Sequence, residues 1–369
     1  MSHDNNLHAL RLAAAVAVVV SHSFAVAGSA EPAPWFNPLG TTWGYLGVLV
    51  FFGISGYLIT TSWEHDPSVR RYAAKRALRI VPGLAVAAAV TAWVLGPLLT
   101  TVPLGRYLSS AATYLYPPLT TLVFAPTPEP PGLFVANPRA DLNASLWTIP
   151  VEVLCYGLLV VAARTRLLRS PLLPPLVVVV AVLGSPQLGD AHGLLRAAGV
   201  PLPAVGGAAI PVDEILLLGA AFFAGSLLRT WRRRLPLRPD VAVAVLVALV
   251  LLRDTAAGDA AAAVAFPYVV LTVGLACRRV PLGGVTRNDL SYGVYLFGYP
   301  VQQAVVVLTG TRDPGLVTVL TLVVVVPLAG LSWRYVEKPA LRLKPRARSV
   351  TTPAAAASSS REPVDASAP

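Results

Sequence analysis

The stretch Leu7–Ala27, reading LHALRLAAAVAVVVSHSFAVA, constrains this chain more than any other. It is long enough to cross a bilayer, yet it carries Arg11 near one end and His22 near the other. An α-helix turns about 100° per residue, so the step from Arg11 to His22 returns both side chains to one face, ~16 Å apart along the axis. That is about half of a ~30 Å hydrocarbon core, which places one group near each side of the membrane. A charge in mid-bilayer costs ~2.5–3.5 kcal/mol, so ionisable groups persist there chiefly where they face a protein interior or a water-filled cavity. The helix therefore reads as the wall of a reaction channel. Two plainer readings stand beside this one. The run could be a cleavable signal peptide ending at Ala25-Val26-Ala27, although no Lys or Arg precedes Leu7 and Arg11 and His22 interrupt the run. Alternatively, Arg11 snorkels to the headgroups and His22 merely satisfies a carbonyl.

With 55% of its 369 residues hydrophobic and 13% charged, the chain reads as an all-α, polytopic integral membrane protein with no large soluble domain. The net charge of +11 does not point to nucleic acid, because the basic residues fall in short connections between apolar runs. Cys155 and Cys277 lie in apolar segments without metal-ligand spacing, so neither a disulfide framework nor a metal site is expected. About ten transmembrane helices are expected: 7–27, 43–63, 82–99, 145–163, 171–188, 212–228, 241–252, 260–277, 290–308 and 315–335, with Pro82 in the first turn of the third. Residues 107–124 are apolar but broken by Pro117-Pro118, and the charge distribution favours a re-entrant or interfacial piece there. On this topology only Arg106, Arg139, Arg196, Arg253 and Arg312 lie outside, and both termini are cytoplasmic. Residues 1–344 form the membrane-embedded domain, and 345–369, basic and then Ala/Ser/Pro-rich, read as a disordered cytoplasmic tail. In the second span Gly44, Gly47, Gly53 and Gly56 let neighbouring helices approach, by packing alone or for a functional reason.

Three further residues could carry chemistry. Glu152 lies at a depth comparable with His22, and a carboxylate bonded to one imidazole nitrogen would orient the ring and raise its basicity. The competing reading pairs Glu152 with an arginine at a helix end. On the inner side Arg76 and Arg79 are three apart, hence neighbours on one helical face, and arginine forks bind phosphates with directed bonds. Anchoring to anionic lipid is the plainer account of each. Arg11, at the same depth, tilts the balance towards a cytoplasmic phosphate-bearing donor whose reactive end reaches along the channel.

Several motifs together resemble the membrane-embedded acyltransferase family 3, from about residue 6 to residue 341. They are the Arg11 to His22 spacing, VFFGISGYLI (50–59), RRYAAKRALRIVP (70–82), NASLWTIPVEVLCY (143–156) with Glu152, SYGVYLFGYPVQQ (291–303) and YVEKP (335–339). Many members have a histidine after the Tyr-Leu-aromatic triplet; Gly298 stands there in this chain, which throws more weight on His22. The resemblance implies a multi-pass protein of the cell (inner) membrane and a cytoplasmic acyl-CoA donor, acetyl-CoA in the first instance, with no metal. It implies direct transfer to a hydroxyl of an extracytoplasmic glycan, a glycolipid or a glycosylated small molecule. Arg11, Arg76 and Arg79 would bind the coenzyme A phosphates, His22 would act as general base or acyl carrier, and Glu152 would orient it. Residues 100–144 are the expected acceptor-selecting stretch. Two alternatives stand: acylation of a macrolide-like molecule, or a transporter or flippase relaying protons through Arg11, His22 and Glu152.

Overall fold

The computed structural model describes residues 5–32, 39, 41–186, 193, 197–198, 204–205, 208–209, 212–278 and 289–345. Among them the chain is helical apart from a two-residue antiparallel pairing, Ala204–Val205 with Ala208–Ala209. The helices, in chain order, are α1 Leu7–Ala27, α2 Trp43–His65, α3 Val69–Leu99, α4 Leu104–Ser109, α5 Ala111–Thr121 and α6 Thr148–Arg164. They continue with α7 Leu173–Leu183, α8 Val212–Thr230, α9 Pro239–Leu252, α10 Gly258–Leu275, α11 Ser291–Thr309 and α12 Pro314–Arg342. Five of these, α1, α2, α3, α10 and α12, are both long and apolar enough to cross a membrane. Their outward faces carry large apolar side chains, such as Leu98 at 75% exposure and Val323 at 68%, as a lipid-facing surface requires. Most of the expected tail, and Arg196, lie outside the described residues.

Local chemistry explains the ends. Thr42 accepts a hydrogen bond from the Tyr45 amide to cap α2, and Asp313 does the same for Leu316 ahead of Pro314 in α12. Gly28 closes α1 in the left-handed conformation, with φ 80°. Two sequence expectations need correction. Pro82 is not in a first turn: α3 starts at Val69, because Tyr72, Ile80 and Leu84 bury one face against the bundle while Arg70, Ala73 and Ala77 lie on the exposed side. Of the span expected at 171–188, the helix covers Leu173–Leu183, 11 residues, and ends at Gly184, and residues 187–188 lie outside the described residues. The stretch 107–124, expected as a re-entrant or interfacial piece, holds the 11-residue α5 with Pro117 and Pro118, about 16 Å long and too short to span.

Close packing of α2 against α8 holds the bundle together. An added Cβ at Gly56 would overlap the Phe222 carbonyl, and one at Gly225 would overlap that of Gly53. The Ser226 hydroxyl donates to the Gly56 carbonyl at 3.3 Å across the same contact. Small residues permit such approach where apolar lipid supplies no hydrophobic drive between helices. Gly56→Ala should therefore lower the thermal midpoint of the purified protein, at an overpacking cost of about 1–3 kcal/mol, whereas Gly330→Ala, which meets nothing, should not.

Candidate active site

α1 carries two polar stations, and α11 packs beside both. At the first, Arg11 Nη1 donates to Asp289 Oδ2 at 2.9 Å, and Arg79 Nη2 from α3 donates to the same oxygen at 2.6 Å. Ser291 Oγ donates to the other carboxylate oxygen at 2.6 Å. Arg79 Nη1 also reaches Glu337 Oε2 at 3.4 Å, and Glu337 accepts from Ser332 Oγ at 3.1 Å. Glu337 is turned inward by a π-helical turn, Trp333–Glu337, a distortion that interrupts the regular hydrogen-bond ladder of α12. The Arg11 guanidinium lies over the Phe51 ring at 5.8 Å and that of Arg79 over Tyr292 at 5.1 Å. Burial alone would raise the Asp289 carboxyl, but Arg11 and Arg79 hold it below the ordinary carboxylate range. Asn6 pins the start of α1, its side-chain amide donating to the carbonyls of Val273 and Arg278, each at 3.1 Å.

The second station is His22. Its Nδ1 lies 3.4 Å from Ser145 Oγ, and its ring meets Tyr299 edge to face at 5.2 Å. Residues 137–148 are stitched to α11 around it. Asn143 donates to the Leu296 carbonyl at 2.9 Å, Tyr295 to the Ser145 carbonyl at 2.7 Å, and Tyr299 to Asp141 at 3.3 Å. Gln303 donates to the carbonyls of Arg139 and Asp141, both at 2.7 Å, and its own amide oxygen accepts from Asn137 at 2.7 Å. Gln302 donates to Val19 O and Ser23 Oγ on α1, each at 2.6 Å. The end of the expected acceptor-selecting stretch thus lies against the histidine station.

Arg11 and Arg79 are brought together, but Arg76 is not with them. Its guanidinium lies 6.0 Å from the rings of both Tyr72 and Tyr156, between α3 and α6, and its buried Nε has no hydrogen-bond partner. Neighbouring positions on α3 do not force the long side chains to converge, and the two turn to different partners. Glu152 is likewise apart from His22. Its Oε1 accepts from Ser55 Oγ at 2.9 Å and from Tyr156 OH at 2.6 Å, tying α6 to α2, and it forms no ion pair. Residues 143–147 enter the bundle before α6 begins, so Ser145 reaches His22 and Glu152 lies further along the helix. Gly298 sits against α1, where an added Cβ would meet Val19 Cγ2 at 3.0 Å, so a larger residue there requires Val19 to shift.

Sequence reasoning missed Asp289, Ser145 and Tyr299 as partners. Tyr299 and Glu337 lay within motifs already recognised, but a motif does not say what its side chains touch.

A model of the acyltransferase 3 family, described as an acyltransferase domain, matches residues 4–334. The chain is 28% identical over 343 residues to an O-acetyl transferase of Shigella phage Sf6, covering 92% of this chain and 96% of the relative. It is 29% identical over 365 residues to Nodulation protein 10 of Rhizobium leguminosarum bv. viciae, covering 93% of this chain and 94% of that one. No solved structure matches. With nearly its whole length matched and five helices long and apolar enough to cross a membrane, the chain belongs to the acyltransferase 3 family of multi-pass membrane acyltransferases.

Proposed function

We propose that the protein moves an acetyl group from cytoplasmic acetyl-CoA to a hydroxyl of an extracytoplasmic glycan or glycolipid. The observation that carries this reading is the α1–α11 interface. On one uninterrupted helix, Arg11 joins a buried cation cluster at one end and His22 lies beside Ser145 and Tyr299, ~16 Å further along the axis. A donor with phosphates at one end and a thioester on a long arm suits such a separation. Arg11 and Arg79, held in place by Asp289, would offer their remaining N–H groups to the phosphates. Arg76 would contribute by charge rather than by joining that cluster.

At the other end His22 takes the proton of the acceptor hydroxyl as its oxygen attacks the thioester carbonyl. The C–S bond breaks, the thiolate leaves and is protonated, and the products are the ester and free coenzyme A. A variant of the same step has His22 carry the acyl group first. Ser145, in reach of Nδ1, would set the ring orientation that sequence reasoning gave to Glu152, leaving Nε2 for the substrate. Glu152 becomes a link between helices. The name of the phage relative supports acetyl as the group moved.

The basic residues of α3 and the arginine station would lie on the cytoplasmic side. The test uses purified protein with labelled acetyl-CoA and a panel of glycan and glycolipid acceptors. Thiol release with label on an acceptor is the expected result. Intact thioester in every mixture, combined with vectorial movement of an unmodified glycan by reconstituted protein, would establish transport instead.

A further inference from the structure

A second concave site lies away from both stations, where α2, α6 and α8 end together. A cavity of about 420 Å³ is lined there by Arg169, Arg229, Arg232, Arg233 and Arg234, with Trp231 and a single carboxylate, Glu64. That carboxylate is already engaged: Arg229 Nε and Nη2 reach Glu64 Oε2 at 2.8 and 2.7 Å. Trp231 donates to the Leu168 carbonyl at 3.3 Å, and Arg234 stacks over its ring at 5.1 Å, so the wall is built and not splayed. Among the described residues Arg169, Arg232 and Arg233 have no carboxylate partner. Dispersed basic residues satisfy the orientation rule just as well. Like charges gathered around one volume repel, and this arrangement favours an anion with several acceptor oxygens.

A second cavity begins next to it. Between α6, α7 and α8 runs an apolar groove of about 320 Å³, lined by Leu158, Leu167, Leu173, Ile215, Gly219 and Phe223. The two spaces share walls. The short turn Leu167–Arg169 gives Leu167 to the groove and Arg169 to the basic cavity. On α8, Phe223 faces the groove and Arg229 the cavity, ~9 Å apart along the axis. An apolar slot beside a cluster of guanidinium groups matches a molecule with a hydrocarbon chain and a phosphate head.

We propose that this two-part site binds an anionic phospholipid, its phosphate headgroup on the arginines and one acyl chain in the groove. A zwitterionic lipid brings its own cation to the same cluster and is disfavoured. Inorganic phosphate shares the headgroup chemistry but leaves the groove empty.

The test measures binding to the full-length protein in detergent, by native mass spectrometry and by thermal shift. The probes are dioleoyl phosphatidylglycerol, dioleoyl phosphatidylcholine and inorganic phosphate. Phosphatidylglycerol should bind and stabilise, and phosphatidylcholine should bind at least about tenfold more weakly. Arg232→Gln with Arg233→Gln should weaken phosphatidylglycerol about tenfold or more. A Cβ at Gly219 meets nothing within 4 Å and Gly219 lines the groove, so Gly219→Phe, at a thermal midpoint matched to wild type without lipid, should weaken the lipid while Gly219→Ala does not. Equal binding of the two lipids, or undiminished binding by the arginine variant, would overturn the proposal. So would inorganic phosphate matching the lipid with Gly219→Phe inert, since that describes a site for soluble anions.

Discussion

His22→Ala is expected to lower acyl transfer by about 10²–10⁴-fold, the range over which a positioned general base contributes. The protein should still insert and fold. α1 is held independently by the bonds of Asn6 at its start, by Arg11 to Asp289, and by Gln302 to Val19 and Ser23 within a turn of the histidine. What the substitution removes is the imidazole beside Ser145 and Tyr299, and little else. Thiol release from acetyl-CoA by purified wild type and variant, at matched thermal midpoints, is the measurement. Undiminished turnover would remove His22 from the chemistry altogether. Glu152→Gln serves as the companion. A glutamine carbonyl can accept the same bonds from Ser55 and Tyr156, so transfer should stay within about tenfold of wild type. A loss as deep as that of His22→Ala would instead mean that Glu152 joins the reacting groups.

The second large effect is on stability. Asp289→Ala leaves Arg11 and Arg79 facing each other with Glu337 as the remaining acid, and stranding buried charge in this way costs about 3–5 kcal/mol. The side chains concerned are 19%, 15% and 9% exposed for Arg11, Arg79 and Asp289, so water can screen the loss only in part. The pH dependence has a definite sign. Because the Asp289 carboxyl is depressed in the folded protein, its contribution is complete above the ordinary carboxylate range and disappears as pH falls through the folded value. Thermal unfolding of wild type and Asp289→Ala should therefore differ most near neutrality and converge in acid. Pairing the substitution with Arg11→Leu should restore part of the loss, since the second change removes one stranded charge. Equal midpoints at neutral pH would show that the cluster is not holding α1, α3 and α11 together.

Periodicity and apolar runs identified helices close to α1, α2, α6 and α8 to α12, because a lipid-facing helix must hide its backbone within itself and advertise that in a long apolar run. The same logic misplaced the start of α3, where an amphipathic, heavily basic turn is helical only because one face packs on the bundle. It also overstated α7, whose helix ends at Gly184, ahead of Ser185 and Pro186.

Within the site, the sequence determined the two stations of α1, since a helix fixes the spacing and relative direction of residues on a single element. Their partners were another matter. Asp289 as the common anion of Arg11 and Arg79, Ser145 in place of Glu152 at His22, and the turning away of Arg76 depend on how separate elements are inserted and rotated against one another. Those relations come from how elements distant in sequence pack on one another. No local rule carries that information, and only the tertiary structure decided it.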